Sequence, residues 1–176
     1  MKIGLCGTMR VGKTTLVNAL KDLPQFATYN FATERSKYLN NLGIPLNTDS
    51  TLKGQTVFLA ERCAELIQTD IITDRTIIDV IAFTLNAKSI PHQDKDIFET
   101  YASEFIRDYD YIFYISPYGL EIEDNGVRET DEHYRDLIDF TITTLIKRYG
   151  HRCKNVEKIS GSTDERIEQI LNITGL

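Results

Sequence analysis

Cysteine is scarce and badly placed for any bridging role: the 176-residue chain has three, Cys6, Cys63 and Cys153, odd in number and widely scattered. This excludes a disulfide framework or a zinc ribbon and leads us to expect a reducing compartment, the cytoplasm by default. Histidine is equally sparse. His92, His133 and His151 stand apart from cysteines and from paired acids at ligand spacing, so we expect no metal centre built on them. Apolar runs long enough to cross a bilayer, about eighteen residues, are missing. The opening MKIGLCG runs straight into a motif, so we expect neither a signal peptide nor a membrane partner. With four prolines and no Pro/Gly/Ser-rich tract, low-complexity segment or repeat, the expectation is one domain spanning residues 1–176, large enough to bury about 70% of its unfolded surface. Excess positive charge is absent too. Twenty Lys and Arg against 26 Asp and Glu give a net charge of −6, which argues against broad binding to nucleic acid while leaving room for a local basic cleft.

What is present is an alternation of strand-length apolar runs with segments of helical period. Strands are expected at Lys2–Cys6, Thr28–Ala32, Asp70–Thr73, Tyr111–Ile115 and Asn155–Ile159. The first helix opens near Lys13, carries Leu16, Val17 and Leu20, and stops before Pro24. After a polar loop, Asp49 or Ser50 is expected to cap a helix with Leu52, Leu59, Cys63 and Leu66 on one face, ending near Thr69. An apolar helix follows through Ile77, Ile78, Val80, Ile81 and Leu85. Ile97, Tyr101 and Phe105 stripe another, and Tyr134, Leu137, Ile138, Leu145 and Tyr149 a long one stopped by Gly150. Ser162-x-x-Glu165 is a capping box for a terminal helix bearing Ile167, Ile170 and Leu171. The fold class implied is α/β: a three-layer sandwich with a mostly parallel five-stranded sheet and helices on both faces. The polar, Gly-containing segment at about 118–130 is a lid candidate.

Gly7-Thr8-Met9-Arg10-Val11-Gly12-Lys13-Thr14 matches GxxxxGK[ST] in full, after a strand and before a helix, the context that confirms a P-loop. The two glycines permit a tight loop whose N–H groups converge on phosphate oxygens, and the start of the helix, continuing through Thr15, adds partial positive charge. We expect Lys13 to face solvent and bridge the β- and γ-phosphates, with the Thr14 hydroxyl on Mg²⁺. A P-loop specifies a nucleoside triphosphate; other residues must choose the reaction.

Thr33-Glu34-Arg35 after the second strand, Asp74-Arg75 after the third, an Arg-bearing lid and a Gly161 loop after the last strand accompany the P-loop. With these, the chain resembles the thymidylate kinase and deoxynucleoside kinase group of P-loop kinases, including phage 5-hydroxymethyluridine DNA kinases and ribosylnicotinamide-kinase-like relatives, over nearly its whole length. The resemblance implies ATP and Mg²⁺ as cofactors and γ-phosphate transfer to a hydroxyl of a nucleoside-type acceptor. Glu34 takes the position of the general base. Arg35 and Arg75 hold acceptor or phosphate, and Asp74 orients Mg²⁺ through water. Arg128, within Asp124-Asn125-Gly126-Val127-Arg128-Glu129, is the lid cation that closes over the transferring group, assisted by Arg135. Gly161 belongs to the nucleotide site by the same resemblance. Tyr38, Phe58 and Phe83 are candidates for stacking an acceptor base.

The chain departs from thymidylate kinases in reading Arg35-Ser36-Lys37 where they continue with Pro-Gly, so a thymidine monophosphate acceptor is not supported. Two acceptors of the same chemistry stay open: a free nucleoside or nucleotide, and a hydroxymethylpyrimidine in DNA, for which Lys37, Lys53, Lys88 and Lys95 would form a basic rim. In both cases the kinase would work in the cytoplasm, the host's if the chain is phage-encoded. A regulatory NTPase is the third reading, and the sequence lacks the NKxD guanine motif it would need.

Overall fold

The structure is a computed structural model that describes residues 1–33, 36–117 and 129–176. Its centre is a sheet of five parallel strands: β1 (Lys2–Cys6), β2 (Asn30–Ala32), β3 (Ile71–Asp74), β4 (Tyr111–Ile115) and β5 (Asn155–Ile159). They lie in the order β2-β3-β1-β4-β5. The helices are α1 (Lys13–Lys21), α2 (Ser36–Asn41), α3 (Leu52–Glu65), α4 (Ile77–Leu85), α5 (His92–Ser103), α6 (Glu129–Tyr149) and α7 (Thr163–Thr174).

Side chains alternate across the sheet because the strand period is two. Ile3 and Leu5 of β1, Ile72 of β3 and Phe113 and Ile115 of β4 meet Leu16, Val17 and Leu20 of α1 and Ile170 of α7 on one face. Cys6, Ile112 and Tyr114 point to the other, against Leu59, the apolar residues of α4, and Phe98, Ala102, Ile138, Ile142 and Leu145. Each fully buried Leu or Ile contributes about 1.5–3 kcal/mol. Both faces are covered, so β4 reads as an unbroken apolar run rather than an alternating one.

Leu5 of β1 lies beside Asp74 of β3. The connection after β1 leads to α1 on one face, and the connection after β3 leads to α4 on the opposite face. The strand order therefore diverges between β1 and β3, and open α/β sheets place their ligand crevice outside the carboxyl ends of such a strand pair.

Several elements differ from the sequence expectation. The sheet is wholly rather than mostly parallel. Strand β2 begins at Asn30, because Pro24–Phe26 form a 3-10 turn that buries Phe26 and delays entry into the sheet. Thr51, not Asp49 or Ser50, caps α3 by accepting from the Gly54 N–H at 3.1 Å. Helix α3 ends at Glu65 instead of near Thr69, and part of the polar loop is the short helix α2. On α5, Ile97 and Tyr101 are 61% and 62% exposed, while Phe98, Ala102 and the following Ile106 are buried. On α6, Leu137 is half-exposed and Ile142 takes its place in the core. The last two residues of the expected lid, Glu129 and Thr130, belong to α6; residues 118–128 lie outside the described residues, as do Glu34 and Arg35. Among the described residues, no helix is long and apolar enough to cross a membrane.

Candidate functional site

The P-loop leaves the carboxyl end of β1 and turns into α1. Gly7 closes against the neighbouring strand: a Cβ there would lie 2.6 Å from the Ile115 carbonyl oxygen, so only glycine fits. Gly12, at φ 81°, occupies the left-handed region immediately before α1, a conformation that glycine adopts without strain. Arg10 shares that region at φ 60°.

Three distant residues brace the loop, two through their side chains and one through its backbone carbonyl. Asp79 of α4, fully buried, accepts from the Gly7 N–H at 3.2 Å through one carboxylate oxygen. Its other oxygen accepts from the Thr76 N–H at 2.8 Å and the Thr76 hydroxyl at 2.7 Å, completing the capping box of α4. Arg166 of α7 donates to the Val11 carbonyl at 2.8 Å. The Thr8 hydroxyl donates to the Arg135 carbonyl of α6 at 2.9 Å.

Lys13 departs from expectation. It is 6% exposed rather than solvent-facing, and its ammonium donates to the Gly7 and Thr8 carbonyls at 2.7 and 2.6 Å. Burial, and next the Arg75 charge, pull its pKa down from 10.5 to about 8. The reason is geometric: the loop curls around the side chain, so in this state the lysine satisfies itself on its own backbone. The folded pKa lies below the unfolded one, so the charged form is penalised below pH 8, and that penalty is relieved as pH rises from about 8 toward 10.5. A bound polyphosphate restores the ammonium. Binding of ADP at pH 8 should therefore take up a fraction of a proton, up to about one half. Calorimetry in two buffers of different ionisation enthalpy measures it; an uptake of zero, or a release, would contradict the buried state of Lys13.

The Thr14 hydroxyl donates to an Asp74 carboxylate oxygen at 2.5 Å, joining the start of α1 to the end of β3. Asp74 is buried. A hydroxyl oxygen next to a carboxylate is a hard-oxygen donor set of the kind Mg²⁺ accepts, so the residues present fit that ion. Arg75 follows at φ 87°, with its guanidinium 4.9 Å above the Phe83 ring and 3.9 Å from Asp79. Phe83 in turn lies 6.4 Å from Tyr134 of α6. Beneath the loop, burial and the nearby Asp79 push the Cys6 thiol up, which keeps it protonated and unreactive.

Met9, Arg10, Val11, Gly12, Lys13, Thr14, Thr15, Asp74 and Arg75 line one cavity of about 270 Å³. Gly7 and Thr8 lie behind it, bonded to Asp79 and Arg135. Gly161 is not among the lining residues; at φ 93° it turns the chain ahead of the Ser162–Glu165 capping box of α7. Phe83 carries Arg75 on its face, Phe58 on α3 packs against the core, and Tyr38 stands 51% exposed on α2. Glu34, Arg35 and Arg128 lie outside the described residues. Asp79, Arg62 and Arg166 were not anticipated. The signal for Asp79 was present, because Thr76-x-x-Asp79 ahead of an apolar run is a capping-box pattern. Arg62 and Arg166 had a weaker one: each is a charge on an apolar stripe, Arg62 between Leu59 and Leu66 and Arg166 one turn before Ile170.

The profile of the AAA domain family matches residues 2–166. No curated protein sequence matches the chain. Among solved structures, deoxyadenosine kinase from M. mycoides, with the products dCMP and dCDP bound, is similar with a TM-score of 0.65 and 19% identity, over 99% of this chain and 98% of that one. The NadR protein in complex with NR gives a TM-score of 0.74 and 17% identity over 99% of this chain. It covers 51% of NadR, so the chain spans about half of that protein's length. Thymidylate kinase from Ehrlichia chaffeensis gives 0.63 and 17%, over 99% and 98% of the two chains. At these identities the likeness is one of fold, and it falls within the group that the sequence resembles. The chain belongs to the AAA domain family and has the P-loop α/β fold of nucleoside and nucleotide kinases.

Proposed function

We propose that this protein transfers the γ-phosphate of ATP to a hydroxyl group of a free nucleoside or nucleotide. The observation that carries the reading is the hydrogen bond between Thr14 and Asp74, which joins a complete P-loop to an Asp-Arg pair in a single cavity. Deoxyadenosine kinase, NR-bound NadR and thymidylate kinase, all similar in fold, support this acceptor class.

In this reading the P-loop N–H groups and Lys13 hold the phosphates, and Lys13 leaves its carbonyl partners to do so. Thr14, with Asp74 acting through water, would hold Mg²⁺, which would supply neutralisation of phosphate charge. Arg75 offsets charge on the phosphoryl oxygens. Glu34 orients the acceptor hydroxyl and accepts its proton, while Arg128 closes over the transferring group and excludes water. Arg35 serves the acceptor. The whole of residues 1–176 acts as one kinase domain.

The test is labelled ATP with Mg²⁺ against a panel of nucleosides, nucleoside monophosphates and DNA containing 5-hydroxymethyluracil. Label on a free acceptor supports the reading. Label only on the DNA moves the acceptor into polymer, and slow hydrolysis with no labelled acceptor would assign a regulatory NTPase instead. Glu34→Gln should lower single-turnover transfer by about 10²-fold or more with ATP affinity unchanged. Transfer equal to wild type would pass the base role to Asp74.

A further inference from the structure

Asp74 and Arg75 are held by a device that neither the motif nor the cavity includes. Arg75 is neither glycine nor asparagine, yet its φ is 87°, a conformation that persists only where the surroundings over-determine it. The peptide between the two residues is gripped at both ends. Its N–H donates to the Leu5 carbonyl of β1 at 3.0 Å, and its carbonyl accepts from Arg62 Nη1 at 2.9 Å. Arg62 comes from the last turn of α3 and is 4% exposed. Its Nη2 is anchored on Glu65 one turn later, at 2.5 Å.

The two grips have opposite polarity. Rotating the peptide to relieve the positive φ of Arg75 would turn its carbonyl toward the Leu5 carbonyl and its N–H toward the Arg62 guanidinium. Both contacts would become repulsive inside the protein, where neither group can turn to water. Arg62 therefore fixes the peptide, and the peptide sets where the Asp74 carboxylate meets Thr14 and where the Arg75 guanidinium sits over Phe83.

We propose that Arg62 is a positioning residue for the metal–nucleotide site, orienting Asp74 through the carbonyl it holds without itself touching nucleotide. This rests on the kinase reading above, and its distinguishing property is selectivity for the Mg²⁺-dependent part of nucleotide binding. The P-loop contacts do not pass through Arg62; those of Asp74 do.

The experiment is calorimetric titration with AMP-PNP, in excess EDTA and in excess Mg²⁺. Three folded proteins are compared with wild type: Arg62→Lys, the doubly substituted Arg62→Met/Glu65→Leu, and Glu65→Gln. Lysine keeps the charge but lacks the planar fork that reaches two acceptors. The apolar pair keeps the packing if lysine does not fold. Both should leave the affinity in EDTA within about twofold and reduce the gain from Mg²⁺ by about tenfold, the value of one charge-assisted hydrogen bond to a buried acceptor. Glu65→Gln, which leaves the carbonyl grip in place, should lower the melting temperature and keep the gain. An undiminished Mg²⁺ gain in either Arg62 variant overturns the proposal, as does an equal loss with and without Mg²⁺. If wild type binds AMP-PNP but gains nothing from Mg²⁺, the inference at Asp74 fails and the nucleotide site stands. If wild type binds nucleotide under neither condition, the kinase reading fails and the inference with it.

Discussion

Lys13→Ala should lower phosphoryl transfer by at least about 10²–10³-fold, the loss measured when one preorganised donor to developing charge is removed. The same substitution should leave thermal stability unchanged or slightly raised. The lysine is buried, its pKa is pulled down to about 8, and among the described residues its ammonium donates to two loop carbonyls that a water can serve. Its burial therefore costs the folded state free energy that only a bound anion returns. The two effects together are diagnostic, because a residue needed merely for the fold would lose activity and melting temperature in parallel. Turnover within threefold of wild type, measured at saturating ATP and acceptor, would remove Lys13 from the reaction. Activity lost together with a fall of the melting temperature would make it structural.

Asp79→Ala should destabilise the protein by about 3–5 kcal/mol, the range found when one member of a buried ionic network is deleted. That corresponds to roughly 6–20 °C in melting temperature for a chain of this size. The carboxylate accepts from the Gly7 N–H, the Thr76 N–H and the Thr76 hydroxyl, and alanine would leave all three donors without it in a site closed to solvent. It also lies 3.9 Å from the Arg75 guanidinium and near Lys13, so its removal leaves two cations less compensated. Asp79→Asn keeps the size and should fall between, since an amide presents one acceptor where the carboxylate presents two. Urea denaturation measures both. A loss below about 1 kcal/mol for alanine would mean that the network does not hold the loop.

The sequence was most legible where interactions are local. Strands β4 and β5 and the Ser162–Glu165 box lie where expected, because an apolar run and a four-residue capping pattern carry their own information. The P-loop was readable for the same reason. Helix α5 was read on the wrong face: Ile97, Tyr101 and Phe105 obey an i, i+4, i+8 spacing, and so do Phe98, Ala102 and Ile106 one residue later. Periodicity cannot choose between two such stripes. Packing did, burying Ala102 and Ile106 completely where the larger Tyr101 remained outside. The capping box of Asp79 was legible, but the burial of Lys13 and the contacts of Arg62, Asp79 and Arg166 with distant backbone were hidden for another reason. Each depends on a backbone group whose position the sequence pattern does not encode.

The braces of the P-loop also bear on the order in which the molecule assembles. The loop is eight residues long and local, yet its supporting hydrogen bonds reach across 72, 127 and 155 positions, from Asp79, Arg135 and Arg166. Contacts of such long sequence separation carry a loop-closure cost that delays them during folding. The phosphate cradle should thus be among the last parts to mature, after α7 has docked, and a nascent chain stopped short of Arg166 would carry the whole motif without its finished shape. Nucleotide affinity then serves as a late timer in refolding, rising after the recovery of helix signal.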